Sequence, residues 1–478
     1  MKKIVYLFLL LGLLVACNEE ADFSTNPSLK LEFSCDTILF DTLFTTIGSP
    51  TASMKVYNRN ESSLRISSVR LARGSSGFRI NVDGQSADVV RDVEIRKSDS
   101  MYVFVEATLG ENGTDIPLFV SDSLQFTLES GVQQYVALQA YGRDVKFLRG
   151  EVFSVDKCIP AGHYVVYDSV VVEPGVTLTI ESGATLYFHK DAELVVRGTL
   201  LAKGSRERPI VMRGDRTDNM FGYLPYDRIP GQWGGVTLDS TSNGNLLHYC
   251  DIHSAKYGIR VVEGDTAVQR LTVESSRIEN FDGNALEMTM ARVDVRNSLI
   301  ANARGNCVKV VGGSVRFIHC TIANFYVWKQ RDVALALHNS VEGCPAPLRE
   351  ALFANCVIGG SREDEIMGYL SALGDTVPDA RNYLFVSSLL STVNDGDSCF
   401  VYNVFDDREN GPYAAQHFRL IDHDVFKYDF HLSDSALARG IANKYYSTEL
   451  KYDIDGVVRP DSLADAGCFQ YVPLPAEE

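Results

Sequence analysis

Between Cys250 and Gly360, short runs of alternating apolar and polar residues return at a near-constant interval. The runs are Cys250-Asp-Ile-His-Ser254, Ser276-Arg-Ile-Glu-Asn280, Ser298-Leu-Ile-Ala-Asn302, Cys320-Thr-Ile-Ala-Asn324 and Cys356-Val-Ile-Gly-Gly360. They are spaced by 26, 22, 22 and 36 residues. A period of about 20–30 residues marks a stacked repeat, and a two-residue alternation marks a strand within it. The column Ile252, Ile278, Ile300, Ile322, Ile358 therefore points inward. Two residues before it stand Cys250, Ser276, Ser298, Cys320 and Cys356, all small, and two residues after it Ser254, Asn280, Asn302, Asn324 and Gly360. Stacked amides at a coil's turn can bond one coil to the next. Small, branched, then amide is the interior of a parallel β-helix.

The outward columns bear on chemistry. They read Asp251, Arg277, Leu299, Thr321, Val357 and His253, Glu279, Ala301, Ala323, Gly359. Carboxylates stacked on neighbouring coils would have pointed to acid/base catalysis or calcium. None stack here, so the expectation is a solvated wall of salt bridges. Arg260, Glu287 and Lys309 on the next strand should stack with alternating sign.

Strand patterning also fills the flanks. Residues 28–145 hold about seven short strands, among them Ser53–Tyr57, Leu64–Ile66, Met101–Val105, Leu124–Leu128 and Tyr135–Ala140, with turns at Gly74-Ser-Ser-Gly77 and Asp83-Gly84. This is an immunoglobulin-like sandwich without the Cys…Trp…Cys spacing of antibody domains, and a spacer by expectation. The β-helix and its closing segment span residues 146–472, leaving 473–478 as a tail. The whole chain reads as all-β.

Two insertions interrupt the repeat, and protruding loops carry function more often than the scaffold does. Gly214–Gln232 contains Asp215, Arg216, Tyr223, Tyr226, Asp227 and Arg228 and leads into Trp233. Phe325–Glu350 contains Tyr326, Trp328, Lys329 and Arg331. Aromatic rings beside acids and arginines suit sugar stacking and hydroxyl recognition; the same residues can strap a loop across neighbouring coils.

Lys2, Lys3 and the apolar run Ile4–Ala16 form a signal peptide, residues 1–16, too short to span a bilayer. Leu14-Val-Ala-Cys17 resembles a bacterial lipobox, which makes Cys17 the lipidated first residue of a tether over residues 17–27. The acidic run Asn18-Glu-Glu-Ala-Asp22 resembles a surface-export signal of Bacteroidota lipoproteins, so the outer membrane, cell-surface side, is the expected location. A formal charge of −17 argues against nucleic acid and polyanionic substrates. Cys35, Cys158, Cys307, Cys344, Cys399 and Cys468 show no C-x-x-C pairing. Asp453 and Asp455 lack the glutamate that would close a calcium loop, and no pattern asks for a cofactor.

Asn355-Cys-Val-Ile-Gly-Gly360, Tyr428-Asp-Phe-His-Leu432 and the closing Asp453-Ile-Asp-Gly-Val-Val-Arg459…Ala464-Asp-Ala-Gly467 have a counterpart. Together they resemble right-handed parallel β-helix surface lipoproteins of the choice-of-anchor Q type from Bacteroidota, over about residues 150–472. The resemblance implies fold and location but no assigned activity. Ten Asp-Ser/Thr pairs followed by an apolar residue or threonine resemble an O-glycosylation sequon of the same phylum. Their hydroxyls are Thr37, Thr42, Ser100, Ser123, Ser169, Ser240, Thr266, Thr376, Ser435 and Ser462. Two functions follow. One is a non-catalytic surface protein that binds a glycan or serves as accessory subunit of an outer-membrane β-barrel. The other is a polysaccharide lyase or glycoside hydrolase, for which Asp406-Asp407 and Glu363-Asp364-Glu365 are the visible acid clusters, expected to be solvated.

Overall fold

A computed structural model describes residues 22–74, 76–114, 116–370, 381–394, 396–406 and 414–474. Contacts divide the chain into two compact units at Asp144/Val145.

The first unit is a sandwich of two five-stranded sheets. One orders Glu32–Phe33, Ala52–Tyr57, Ser100–Ala107, Phe78–Val82 and Gln85–Ser86; the other Thr37–Phe44, Gln133–Arg143, Leu118–Leu128, Leu64–Leu71 and Val89–Ile95. The strands alternate as their side chains do: Val103, Val105, Leu124, Phe126, Val136 and Leu138 are fully buried between the sheets. Ten strands replace the expected seven, because two-residue edge strands carry no readable alternation.

The second unit is built on one 26-stranded sheet of parallel pairings, wound from Lys146–Phe153 to Val404–Phe405. The isoleucine column is in register through Met212, Ile252, Ile278, Ile300, Ile322, Ile358 and Leu390. All seven are completely buried. At the turn, Ser254, Asn280 and Asn302 adopt left-handed backbone with φ of 63°, 65° and 55°. Asparagine tolerates that region better than most side chains. Its amide then stitches coils together: Asn324 accepts from Ala303 N (3.2 Å) and donates to Ala303 O (2.9 Å), while Asn302 accepts from Phe325 N (3.0 Å). A second interior ladder, Phe317, Phe353, Phe385 and Phe400, stacks at 5.0 Å per step.

The outward columns depart from expectation. From the Leu299 coil onward they are covered: Leu299, Ala301, Ala323, Val357 and Leu389 form a buried cluster with Phe418, Phe430, Leu432, Ile454 and Phe469 of the C-terminal segment. The columns carry charge only in the coils that precede Leu299, and there Asp251, His253, Arg277 and Glu279 are half-buried. The switch from Asp251/His253 and Arg277/Glu279 to Leu299/Ala301 marks where the covering hairpin, Phe418–Asp422 with Lys427–Leu432, begins. Small residues let it approach: a Cβ on Gly359 would stand 2.7 Å from Ala414 Cβ. Asp453 organises the closing turns, accepting from the backbone N–H of Asp455, Val457 and Gln470 at 2.7–2.9 Å. Arg459 is buried and donates to Asn297 Oδ1 (2.7 Å) on the coil beneath. These contacts account for the closing motif in structural terms.

Phe353 is fully buried between two rings. Phe353→Ala should cost about 3–5 kcal/mol through lost burial and a cavity, read as a lower urea midpoint for the β-helix unit; an unchanged midpoint would contradict the ladder's role.

Candidate functional site

The first insertion is held down at its base. Arg216 reaches both carboxylate oxygens of Asp218 (2.6 and 2.5 Å), and its guanidinium lies 3.7 Å from the centre of the Tyr226 ring. Asp227 is gripped by Arg213 Nη2 and His253 Nε2, both at 2.8 Å, and Ser254 Oγ donates to its carbonyl. Burial would raise the Asp227 pKa, but His253, Arg213 and Arg228 outweigh it and hold the carboxyl below its ordinary value. Asp215 pairs with His189 Nδ1 (2.6 Å). Trp233, expected as a ligand platform, is instead a fully buried core residue. It stacks on Phe188 at 4.3 Å and donates from Nε1 to His253 O (2.8 Å). Of the aromatic candidates in this insertion, Tyr223 is exposed, beside Phe221 at the tip of a small hairpin.

The second insertion is not one loop. Leu335–His338 is a coil strand in the main sheet, so the excess is split between a wide turn over 325–334 and a hairpin, Ser340–Val341 with Cys344–Pro345. Arg331 is buried, not presented to a partner: its guanidinium meets Glu365 at 2.5 and 3.0 Å and Ser361 Oγ at 2.8 Å. Glu365 itself, from a supposedly solvated acid cluster, is fully buried. Asp406 is likewise buried, 3.2 Å from His417, while Asp407 lies outside the described residues. Tyr326 is 4 % exposed, its hydroxyl donating to Asp282 (3.2 Å), and Trp328 stacks on Phe426 at 4.2 Å. Arginine–carboxylate pairs thus secure these loops, as in the strap alternative.

The two insertions nevertheless come to neighbouring points of one coil turn. Gly231 N, ending the first, and Asp282 N both donate to Ala255 O (3.1 and 3.2 Å), and Asp282 receives Tyr326 and Lys329 from the second. Beside this junction opens a cleft of about 480 Å³. Its floor is the backbone of Gly283 and Gly305, joined by a 3.0 Å hydrogen bond. A Cβ at Gly305 would stand 2.3 Å from Asn284 Oδ1, and one at Gly283 2.9 Å from the Tyr257 ring. Tyr257, Arg304 and Lys329 form the walls, with Asn284, Gln330 and Asp332 completing the rim. Arg260, Glu287 and Lys309 stand in one register column with alternating sign, as expected; Lys309 meets Glu287 at 3.0 Å, and the Arg260 guanidinium lies 4.0 Å over the Tyr257 ring. The arrangement offers a ring, amides and charges of both signs to a hydroxyl-rich ligand.

A half-buried charged seam occupies the outer face in the coils that precede Leu299. His253 bridges Asp251 (Nδ1, 2.7 Å) and Asp227 (Nε2, 2.8 Å), while Arg277 Nη2 meets Asp455 (2.8 Å). Asp455 in turn meets His431 Nε2 at 2.7 Å, and His431 Nδ1 meets Asp429 at 2.5 Å. Burial would lower the pKa of both histidines, but their paired carboxylates raise His253 to about 10 and His431 to about 9. The carboxylate of Glu279, in register beside His253, makes no hydrogen bond or salt bridge among the described residues. Burial raises its pKa to about 7, with Arg277 opposing and Asp251 reinforcing. A carboxyl there can hold or release a proton near neutrality.

The remaining candidates are dispersed. Ser100, Ser240, Ser435 and Ser462 are exposed; Thr37, Thr42, Ser123, Ser169 and Thr266 are half-buried. Asp41, Asp99, Asp122 and Asp239 each accept from the N–H of the following residue at 2.7–2.9 Å, a turn contact that gives the aspartates a local role. Cys17 and Thr376 lie outside the described residues. The nine described cysteines are free thiols.

Residues 232–363 match the family described as right-handed β-helix region. The solenoid is a right-handed parallel β-helix. Among curated proteins, Protein bark beetle of Drosophila melanogaster is 48 % identical over 50 residues, 10 % of this chain and 2 % of that protein. Among solved structures, the family 28 exopolygalacturonase of Yersinia enterocolitica is 10 % identical, with a TM-score of 0.29 over 75 % of this chain and 85 % of the other. A PapD-like domain of human CEP192 is 13 % identical, with a TM-score of 0.17 over 27 % of this chain and 94 % of the other.

Tyr257, Asp282, Asn284, Arg304 and Glu279 were not singled out from the sequence as site residues. The available signal was positional. The first four fall in or just past the coil turns, where Gly258, Gly283 and Gly305 recur at the repeat's own interval, and Glu279 lies on the strand Arg277–Phe281.

Glu279 and His431 bind protons more tightly folded than unfolded. The stability each contributes is full below its unfolded value and is lost as pH rises, through about 7 for Glu279 and about 9 for His431. Glu279→Gln should therefore flatten the fall in urea midpoint between about pH 5 and 8; an unaltered slope would show that Glu279 titrates normally.

Proposed function

We propose that this protein is a lipid-anchored surface β-helix that binds a glycan in the cleft beside Asp282. The observation that carries this reading is the cleft itself: ligand-type side chains from coil turns and a loop, over a floor of two glycines. The glycine floor admits a sugar ring close to backbone, Tyr257 supplies an apolar face, and Arg304, Lys329, Asn284 and Asp332 supply donors and acceptors for hydroxyls. Strap contacts fix both insertions, so little ordering remains to oppose binding. The anchor is the lipidated Cys17, with the outer membrane, cell-surface side, as location.

One observation favours a second reading, glycoside hydrolysis. Glu279 is a carboxyl without a hydrogen-bond partner among the described residues, its pKa raised to about 7 by burial, the property of a general acid. It stands on the outer face, and the glycine-floored cleft stands at the turns, so the two readings have separable residues.

A single panel decides between them: polysaccharides presented to the full chain, with binding and newly formed reducing ends measured together. Binding without cleavage is expected, and Tyr257→Ala or Gly283→Val should weaken it about tenfold or more. Release of reducing ends that Glu279→Gln abolishes would establish the hydrolase instead. Cys17→Ser should move the protein from the membrane fraction to the soluble fraction; retention in the membrane would refute the lipid anchor.

A further inference from the structure

We propose that the cleft recognises a glycan bearing isolated carboxylates, one uronate residue on an otherwise neutral chain, held by Arg304 and Lys329. This rests on the glycan-binding reading above and adds the ligand's charge. Three donors converge on a single oxygen, Oδ1 of Asp282: Arg304 Nε at 3.7 Å, Lys329 Nζ at 3.2 Å and Tyr326 Oη at 3.2 Å. Two cations thus share one carboxylate oxygen, and the side chain of the cleft's other acid, Asp332, pairs with neither among the described residues. Both side chains border the cleft, 45 % and 58 % exposed.

The Nη edge of Arg304 makes no hydrogen bond or salt bridge among the described residues. That planar edge matches a carboxylate with two parallel N–H donors, and Lys329 adds a point charge beside it. Arg331 does not compete, since its guanidinium is committed to Glu365 and Ser361.

The same surroundings limit the ligand to one charge at a time. Asp332 borders the cleft with a side chain that pairs with nothing among the described residues, and it repels a second anion. A formal charge of −17 over the chain opposes the approach of a polyanion. Neutral sugars flanking the charged one meet the Tyr257 ring and the glycine floor.

The test is titration calorimetry on the full chain with three probes: a xylo-oligosaccharide, the same oligosaccharide carrying one glucuronate branch, and an oligogalacturonate. The glucuronate-bearing probe should bind about tenfold or more tighter than the neutral one. Arg304→Gln and Lys329→Gln should each remove that difference and leave neutral binding intact, whereas Tyr257→Ala should weaken both. If the neutral probe binds as tightly, or the oligogalacturonate tighter than the singly charged probe, the charge assignment is wrong while the cleft remains a glycan site. If the Arg304 and Lys329 variants keep the full preference, the carboxylate lies elsewhere. If none of the three probes binds, both this inference and the glycan-binding reading fall.

Discussion

Register between successive coils is the constraint on which everything else in the β-helix unit depends. Parallel strands have no hairpin to set their alignment, and a slip of one residue would turn every inward side chain outward. Here the alignment is fixed twice per coil. The branched interior column locks by shape, and the left-handed turn residue at Ser254, Asn280 and Asn302 fixes where each strand ends. Buried amides across the turn then favour the correct stagger, as Asn324 does by accepting from Ala303 N and donating to Ala303 O. Once register is set, turn residues of neighbouring coils stack by necessity, and a site made of Tyr257, Gly283 and Gly305 assembles although its members lie more than 20 residues apart.

The solenoid was legible for the same reason. A column recurring at the coil interval exposes its environment in the sequence, and isoleucine at five equivalent positions leaves little choice of side. What covers the outward columns was not legible. Leu299, Ala301 and Val357 look like ordinary outward strand residues until the hairpin over 418–432 is laid on them. Contacts between residues about 60 or more positions apart carry no local periodicity, so sequence reading took a buried face for a solvated wall. The insertions show the converse error. Aromatic and charged composition marks both a ligand site and a strap, and burial alone separates Tyr326 and Arg331 from Tyr223.

The charged seam follows from that covering. Where apolar outward residues end, so does the C-terminal blanket, and its edge needs polar closure. Arg277, Asp455 and His431 supply it, joining coil to covering segment through a chain of charge-assisted bonds. On the other flank Asp227 and His253 do the same for the first insertion. Glu279 lies between these two edges, its carboxylate without a hydrogen-bond partner among the described residues, at the position where the small Ala301 follows in register. Its raised pKa is the cost of that location, and it makes the carboxyl the one group on this face whose charge changes near neutral pH among those with shifted values.

The seam and the cleft also divide stability from recognition. Seam groups are paired across elements, so their removal exposes buried charge and loosens the structure. Cleft groups are paired less than they could be: two cations on one carboxylate oxygen, an arginine edge without a partner among the described residues, and backbone where side chains would otherwise stand. Under-satisfied donors beside an open volume stabilise nothing in the free protein. Their placement on turns fixed by the coil register makes them a preorganised surface, one that gains its missing partners only when a ligand supplies them.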